Sequence, residues 1–325
     1  MRNHTTTLKT GITRTPEFEK KKLASFAVNI GTKCGHDCLY CSTGALLRMH
    51  DSFKQAGENP FGHGYAIVDP TTPERVARDA KRLQDRGMVQ LCTMIDAWAP
   101  EAQAHNLGRC CLEAILVEPG WTVRILTKNA AVARDFDLIE KHRDRVLVGL
   151  SLTAAPERQS AISVIEPNAS PISERIAAMR EAHARGLRTY GMLCPLLPGI
   201  ADSAADIDAL VRLAVEFGAE EIFVEPVNAR GTGLKQTQEV LVASGFVQEA
   251  AAIEGIRHAK AWSRYVAELL ESIQQSVRLR SDIAKLRFLL YPSKLMTEDA
   301  DHIRRDDAGV IWLGRASARH EQEAD

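Results

Sequence analysis

Within GTKCGHDCLYCSTG, Gly31 to Gly44, three cysteines stand close together at Cys34, Cys38 and Cys41. Thiolates clustered this tightly are metal ligands, and closed sites want four of them. Structural zinc takes four N or S donors, and a closed iron–sulfur cluster takes four Cys thiolates. Three leave one position open. On a [4Fe–4S] cluster that position is an iron without a protein ligand, free to bind a small molecule directly. The alternative is a zinc site completed by His36, His50 or Asp37. His36 lies between two ligands, where simultaneous coordination would be strained, and His50 falls in a stretch that reads as loop. Tight cysteine spacing still suits structural zinc, so spacing alone leaves both sites open.

Everything else in the chain has to position these thiols. At 325 residues it can bury a substantial core, as one large α/β domain or a domain with an appendage. Seven cysteines, an odd number with three clustered, do not resemble a disulfide framework, so metal or redox chemistry is expected. The start of the chain, MRNHTTTLKTGITRTPEFEKKK, is polar and basic with no apolar run for a signal peptide or a membrane span. Cytoplasmic residence away from membranes is the default that follows. A formal net charge of -1 supplies no global field to gather polyanions, so any nucleic-acid site must be a local patch.

Short apolar, β-branched runs recur in SFAVNI, MVQLCTMI, TVRILT, RVLVGLSLT, LRTYGMLCPLLPG and EIFVEPVN, and most stretches between them carry helical spacing. Helices are expected over Pro73 to Arg86, Glu101 to Glu118, Arg134 to His142, Ser173 to Arg185 and Ser203 to Phe217, with Gly186 and Gly218 as stops. The strands are continuous apolar runs, which calls for a sheet covered on both faces: parallel strands with right-handed crossovers. Six β/α units fall short of the eight of a full barrel, so the fold class is α/β, an open partial (β/α)6 barrel. In such folds the chemistry sits beyond the C-terminal ends of the strands, where the cysteine loop lies. Past Gly231 the pattern becomes charge-rich and helical, with GVIWLG as a short closing strand. The division is 1–22 polar extension, 23–230 core and 231–325 mainly helical extension, the last covering the open side of the barrel.

The spacing Cys-x3-Cys-x2-Cys, with aromatic Tyr40 before the last cysteine in a loop after the first strand, resembles the radical S-adenosylmethionine enzymes. Over about 25–230 the chain looks like their spore photoproduct lyase-like branch, through MIDAWAPEAQ, TKNAAVARDFDLI, VGLSLT, EPNASPISERIAAM and CPLLPGIAD. The resemblance implies a [4Fe–4S] cluster on Cys34, Cys38 and Cys41, its open iron chelating S-adenosylmethionine. It further implies an external one-electron donor of the flavodoxin or ferredoxin type. Reductive cleavage then yields a 5′-deoxyadenosyl radical that abstracts hydrogen from substrate, while the protein positions the cofactors and excludes water.

Several residues match the family pattern one by one. Tyr40 belongs to the cofactor-binding set. Lys128, in ILTKN, is expected to pair with the carboxylate of S-adenosylmethionine, a role that suits a point charge; otherwise it is a solvated lysine. Ser151, in GLSLT, would hydrogen-bond the same polar head or else its own backbone. Leu196 and Leu197 precede the Pro198-Gly199 turn, and Leu197 is expected in the adenine pocket, with core packing as its alternative. Cys92, in QLCTMID, matches a family cysteine that returns hydrogen to the product radical; a buried strand cysteine is otherwise a small hydrophobe.

Other residues remain on physical grounds. Glu225, Asn228 and Arg230 would point into the open mouth as substrate contacts or form rim salt bridges. Asp96, Trp98 and Glu101 match a similar acidic-aromatic-Pro-Glu stretch of the family, and that resemblance implies a structural or substrate-gate role; otherwise Trp98 is packing and Glu101 a helix-start carboxylate. Cys110, Cys111 and Cys194 are scattered and indicate no second cluster. Arg278, Arg280, Lys285, Arg287 and Lys294, with Phe288 and Tyr291 among them, suit phosphate contact with stacking or a solvated basic face, against an acidic EQEAD tail. The substrate expectation is therefore a nucleobase, or else a small metabolite or peptide, with a non-catalytic zinc protein as the rival class.

Overall fold

The computed structural model describes residues 1–228 and 232–314. The six expected strands are present: β1 (Phe26–Val28), β2 (Met88–Leu91), β3 (Thr122–Thr127), β4 (Val146–Leu150), β5 (Gly191–Leu196) and β6 (Ile222–Pro226). Two more follow, β7 (Leu286–Leu290) and β8 (Val310–Trp312). Neighbours pair in parallel from β1 to β4 and from β5 to β8. The two runs meet where Arg188–Thr189 pairs with Leu147 and Val148 of β4 and where Ser151 bridges Met192 of β5. The free edge of β1 carries an antiparallel pair with Thr13–Arg14.

Alternation along the strands separates two cores. Val148, Leu193, Val224 and Leu290 join the large core under the crossover helices, whereas Leu147, Met192, Phe223, Leu289 and Ile311 form a smaller cluster on the opposite face. Leu23, ahead of β1, packs into this smaller cluster. The N-terminal residues are therefore part of the fold. Arg2–Thr5 pairs with Tyr65–Val68, which also pairs with Gly31–Lys33, the strand that delivers the chain to Cys34. Gly31 is required there, since a Cβ would stand 2.2 Å from the Ile67 carbonyl oxygen.

The expected helices appear with one correction. Glu101 to Glu118 is two helices, Pro100–Gln103 and Leu107–Leu116, because Asn106 turns left-handed at φ 54°. The restart lets Gly108 pass against the Trp98 ring, where a Cβ would come within 2.6 Å. Gly186 and Gly218, at φ 68° and 70°, end the helices Ile172–Ala184 and Ala204–Glu216 as left-handed caps.

After β6 come the helices Gly233–Ala243, Val247–Gly255 and Ala259–Arg280, with Thr297–Arg305 between β7 and β8. The C-terminal part thus lengthens the parallel sheet as well as adding helices. Its basic stretch is engaged within the fold. Arg280 grips Asp208 with two bonds of 2.9 Å, Arg278 pairs with Asp306 at 2.8 Å, and Arg287 pairs with Glu221 at 3.0 Å. Lys285 reaches the Ala219 carbonyl at 3.1 Å, and Phe288 is buried. Arg230 and the EQEAD tail lie outside the described residues.

Candidate active site

The cysteine loop leaves Gly31–Lys33 and makes a turn that needs a left-handed residue at Asp37, φ 54°. Its histidine and its aspartate are each turned to a protein partner. His36 Nε2 is 2.9 Å from Asp96 Oδ2 and its Nδ1 is 3.1 Å from the Asn168 carbonyl. Asp37 accepts from His63 Nδ1 and Gly64 N, both at 2.8 Å. His50 caps the helix Asp51–Ala56 through Ser52 N at 3.2 Å. The three side chains able to complete a zinc site are thereby bound elsewhere. Among the described residues, no three His, Cys, Asp or Glu side chains converge as ligands of a single ion.

The thiols are free, with Cys38 buried and Cys41 exposed. Burial pushes the Cys34 thiol well up, and the charges of Glu101, Cys41 and Cys38 add to it. Burial likewise pushes Cys38 up to about 12, with Glu166 adding to it. Three thiols near enough to repel one another as thiolates form a donor set that suits a cluster binding each thiolate on a different iron. The protonated thiols are what a cation there would have to deprotonate.

Loop position is enforced from two sides. Asp96, after β2, is buried and accepts from Trp98 N, Lys128 N and Thr127 Oγ1, each at 2.8 Å, besides His36. Burial would push its carboxyl up, but the charge and hydrogen bond of His36 and the two backbone N–H donors hold it below the usual range. Glu101 accepts from Gly35 N at 3.0 Å. From the other side, Ile165 O takes Leu39 N at 3.0 Å, and Asn168 Nδ2 donates to Gly35 O at 3.0 Å.

Next to this loop, at the C-terminal ends of β3 and β4, stand Lys128 and Ser151. Lys128 Nζ is 2.9 Å from Ser151 Oγ, 3.1 Å from Glu166 Oε1 and 5.6 Å from the centre of the Tyr40 ring. Tyr40 is buried and its hydroxyl donates to Glu166, while Arg175 pairs with the other carboxylate oxygen. Burial would push Glu166 up, yet Lys128 and Arg175 hold it down at about 2. Tyr40, Lys128 and Ser151 are thus brought together. Glu166 and Arg175 are additions that no sequence signal singled out, although both lie in the EPNASPISER stretch.

The remaining candidates fall elsewhere. Leu197 is fully buried in the large core. Cys92 is buried there as well, at the end of β2, with a left-handed φ of 64°. Trp98 is buried and donates its indole N–H to Asp135 at 2.8 Å. Glu225, on β6, pairs with Lys21 at 3.4 Å and accepts at 3.7 Å from the thiol of Cys194, which lies on β5, the strand bridged to Ser151. Lys294 reaches Asn228 at 3.5 Å.

Comparison with known proteins bears on the fold and the family. An uncharacterised protein of Acidianus two-tailed virus is 23% identical over 222 residues, 66% of this chain and 71% of that protein. One of Methanocaldococcus jannaschii is 23% identical over 179 residues, 55% of this chain but only 63% of its own length. Among solved structures, a spore photoproduct lyase with a cysteine-to-serine mutation matches with a TM-score of 0.57 at 14% identity, covering 86% of this chain and 79% of that one. The lyase complexed with dinucleoside spore photoproduct matches at 0.55, again at 14% identity over 86% and 79%. Identity this low speaks to the fold alone. The family model described as the Radical SAM superfamily matches residues 28–214, more than half of the chain and including every cysteine of the loop, so the chain belongs to the radical SAM superfamily.

Proposed function

We propose that this protein is a radical S-adenosylmethionine enzyme that holds a [4Fe–4S] cluster on Cys34, Cys38 and Cys41 and binds S-adenosylmethionine beside it. The observation that carries this is the meeting of Lys128, Ser151 and the cysteine-loop residue Tyr40 at one strand-end mouth. Lys128 and Arg175 against Glu166 leave that pocket with one positive charge in excess, which suits a ligand carboxylate. When bound, the two cofactors supply one-electron reductive cleavage of a carbon–sulfur bond and, through its organic product, hydrogen abstraction from substrate.

The chain's own residues orient and enclose. Lys128 binds the ligand carboxylate, Ser151 holds the lysine's direction by accepting a hydrogen bond from its ammonium, and Tyr40 walls the pocket. Leu197 backs the adenine side from the core. Exposed Cys41 marks the face on which an external one-electron donor of the flavodoxin or ferredoxin type delivers its electron.

A nucleobase is the first substrate reading, supported by a fold shared with spore photoproduct lyase over 86% of the chain. In it Cys92 returns hydrogen to the product. A second reading, a small metabolite or peptide, is favoured by the engagement of Arg278, Arg280, Lys285 and Arg287 within the fold. Anaerobic reconstitution with iron and sulfide, followed by assay of 5′-deoxyadenosine with reductant, tests the enzyme reading. Stimulation by damaged oligonucleotide against small-molecule pools separates the substrates. Among the described residues no helix is long and apolar enough to cross a membrane, and cytoplasmic residence is part of this proposal.

A further inference from the structure

We infer that Glu166 is a positioning residue that locks the cysteine loop to Lys128, with Ile165–Asn168 serving as the splint along which that loop is laid. This rests on the ligand role proposed for Lys128.

The loop has little structure of its own. Its backbone turns left-handed at Asp37 and makes a local bond from Cys41 N to Cys38 O at 3.1 Å. What fixes it comes from far along the chain. Ile165 O accepts Leu39 N, Asn168 meets His36 through both its N–H and its carbonyl, and Asn168 Nδ2 donates to Gly35 O. Glu166 sits between these contacts with its side chain 0% exposed.

Its two oxygens divide the work. Oε1 accepts from both the Tyr40 hydroxyl and Lys128 Nζ, so the loop residue between Cys38 and Cys41 and the lysine at the end of β3 are fixed through one shared atom. Oε2 is held by Arg175, itself 1% exposed, whose Nη1 also donates to Ser151 O at 3.0 Å. Arg175 therefore anchors the carboxylate against the strand end that carries Ser151. A buried carboxylate with three committed donors cannot swing without leaving one unpaired, which is the condition for rigid alignment.

The test uses the purified full chain and two variants, Glu166→Gln and Tyr40→Phe. Amide exchange at Leu39 and Cys41 is expected to speed by about tenfold in each, the effect of losing one buried hydrogen bond. S-adenosylmethionine binding to the reconstituted protein, read by equilibrium dialysis, should weaken about tenfold or more, with KM rising further than kcat falls. The two changes together should be less than additive. Tyr40→Phe keeps every charge and carries the test if Glu166→Gln fails to fold. Unchanged exchange at Leu39 with unchanged affinity in a folded variant would overturn the inference. If wild type binds no S-adenosylmethionine, the proposed function falls, and the exchange measurement alone still decides whether Glu166 locks the loop.

Discussion

The imidazole of His36, lodged between Cys34 and Cys38, is 2.9 Å from the carboxylate of Asp96, sixty residues along the chain and on the far side of β2. The pair ties the loop to the strand ends, because the same carboxylate receives Thr127, Lys128 N and Trp98 N. Asp96→Ala strands these donors in a buried site, and breaking such a charged partner costs about 3–5 kcal/mol. Urea unfolding should show a loss of that size. A loss within the range of an ordinary surface change would mean the hub is not holding the loop.

Acid should find the second carboxylate. Glu166 titrates at about 2 in the folded chain against an ordinary 4.5. Its contribution to stability, on the order of 3 kcal/mol, is complete above the unfolded value and is lost as pH falls toward the folded one. The stability gap between wild type and Glu166→Gln should therefore be constant above roughly pH 5 and close between there and pH 2. Denaturant titrations across that window check it, and a gap independent of pH would contradict the pairing with Lys128 and Arg175.

Lys128→Ala removes the ammonium that faces Ser151 and Tyr40. A charged hydrogen bond to a ligand carboxylate contributes about 1.5–3 kcal/mol, so S-adenosylmethionine should bind roughly ten- to hundredfold more weakly. Iron content after reconstitution should stay at the wild-type level, since Lys128 carries no cluster ligand. Unaltered binding would remove Lys128 from the cofactor site.

Cys92 offers a separable test. It is buried in the large core at the end of β2. Cys92→Ala should leave reductant-dependent 5′-deoxyadenosine formation without substrate within about twofold of wild type, because a small buried swap costs little. Any requirement for its thiol should appear only in product formed from the true substrate. Loss of basal cleavage in this variant would place Cys92 in the cofactor site.

The elements that carry the loop were legible because their signals are local. Cysteine spacing, the apolar runs of β1 to β6 and the stops at Gly186 and Gly218 each occupy a few adjacent residues. Lys128 and Ser151 were legible through the family resemblance, which matches a lysine and a serine at strand ends. Arg175 was not, since one arginine in ISERIAAM reads as the solvated face of a helix, and its burial depends on a countercharge at Glu166 supplied by the preceding loop. Asp96 was visible as a residue but not as a hub, because its donors come from three separate segments. LRFLL lies in the part that reads as mainly helical, and it is a strand, β7, because Val224 of β6 gives Phe288 a parallel partner. Its arginine and neighbouring basic residues looked available for phosphate, while Asp208, Glu221 and Asp306 that engage them lie far away in sequence.

The most direct measurement compares anaerobically reconstituted wild type with Cys34→Ala, Cys38→Ala and Cys41→Ala, reading iron content, the paramagnetic resonance of the reduced protein with and without S-adenosylmethionine, and 5′-deoxyadenosine. The proposed function predicts about four irons per wild-type chain, a resonance that shifts when S-adenosylmethionine is added, and cleavage that disappears in each variant. A wild type that holds a single zinc and never yields 5′-deoxyadenosine would contradict it.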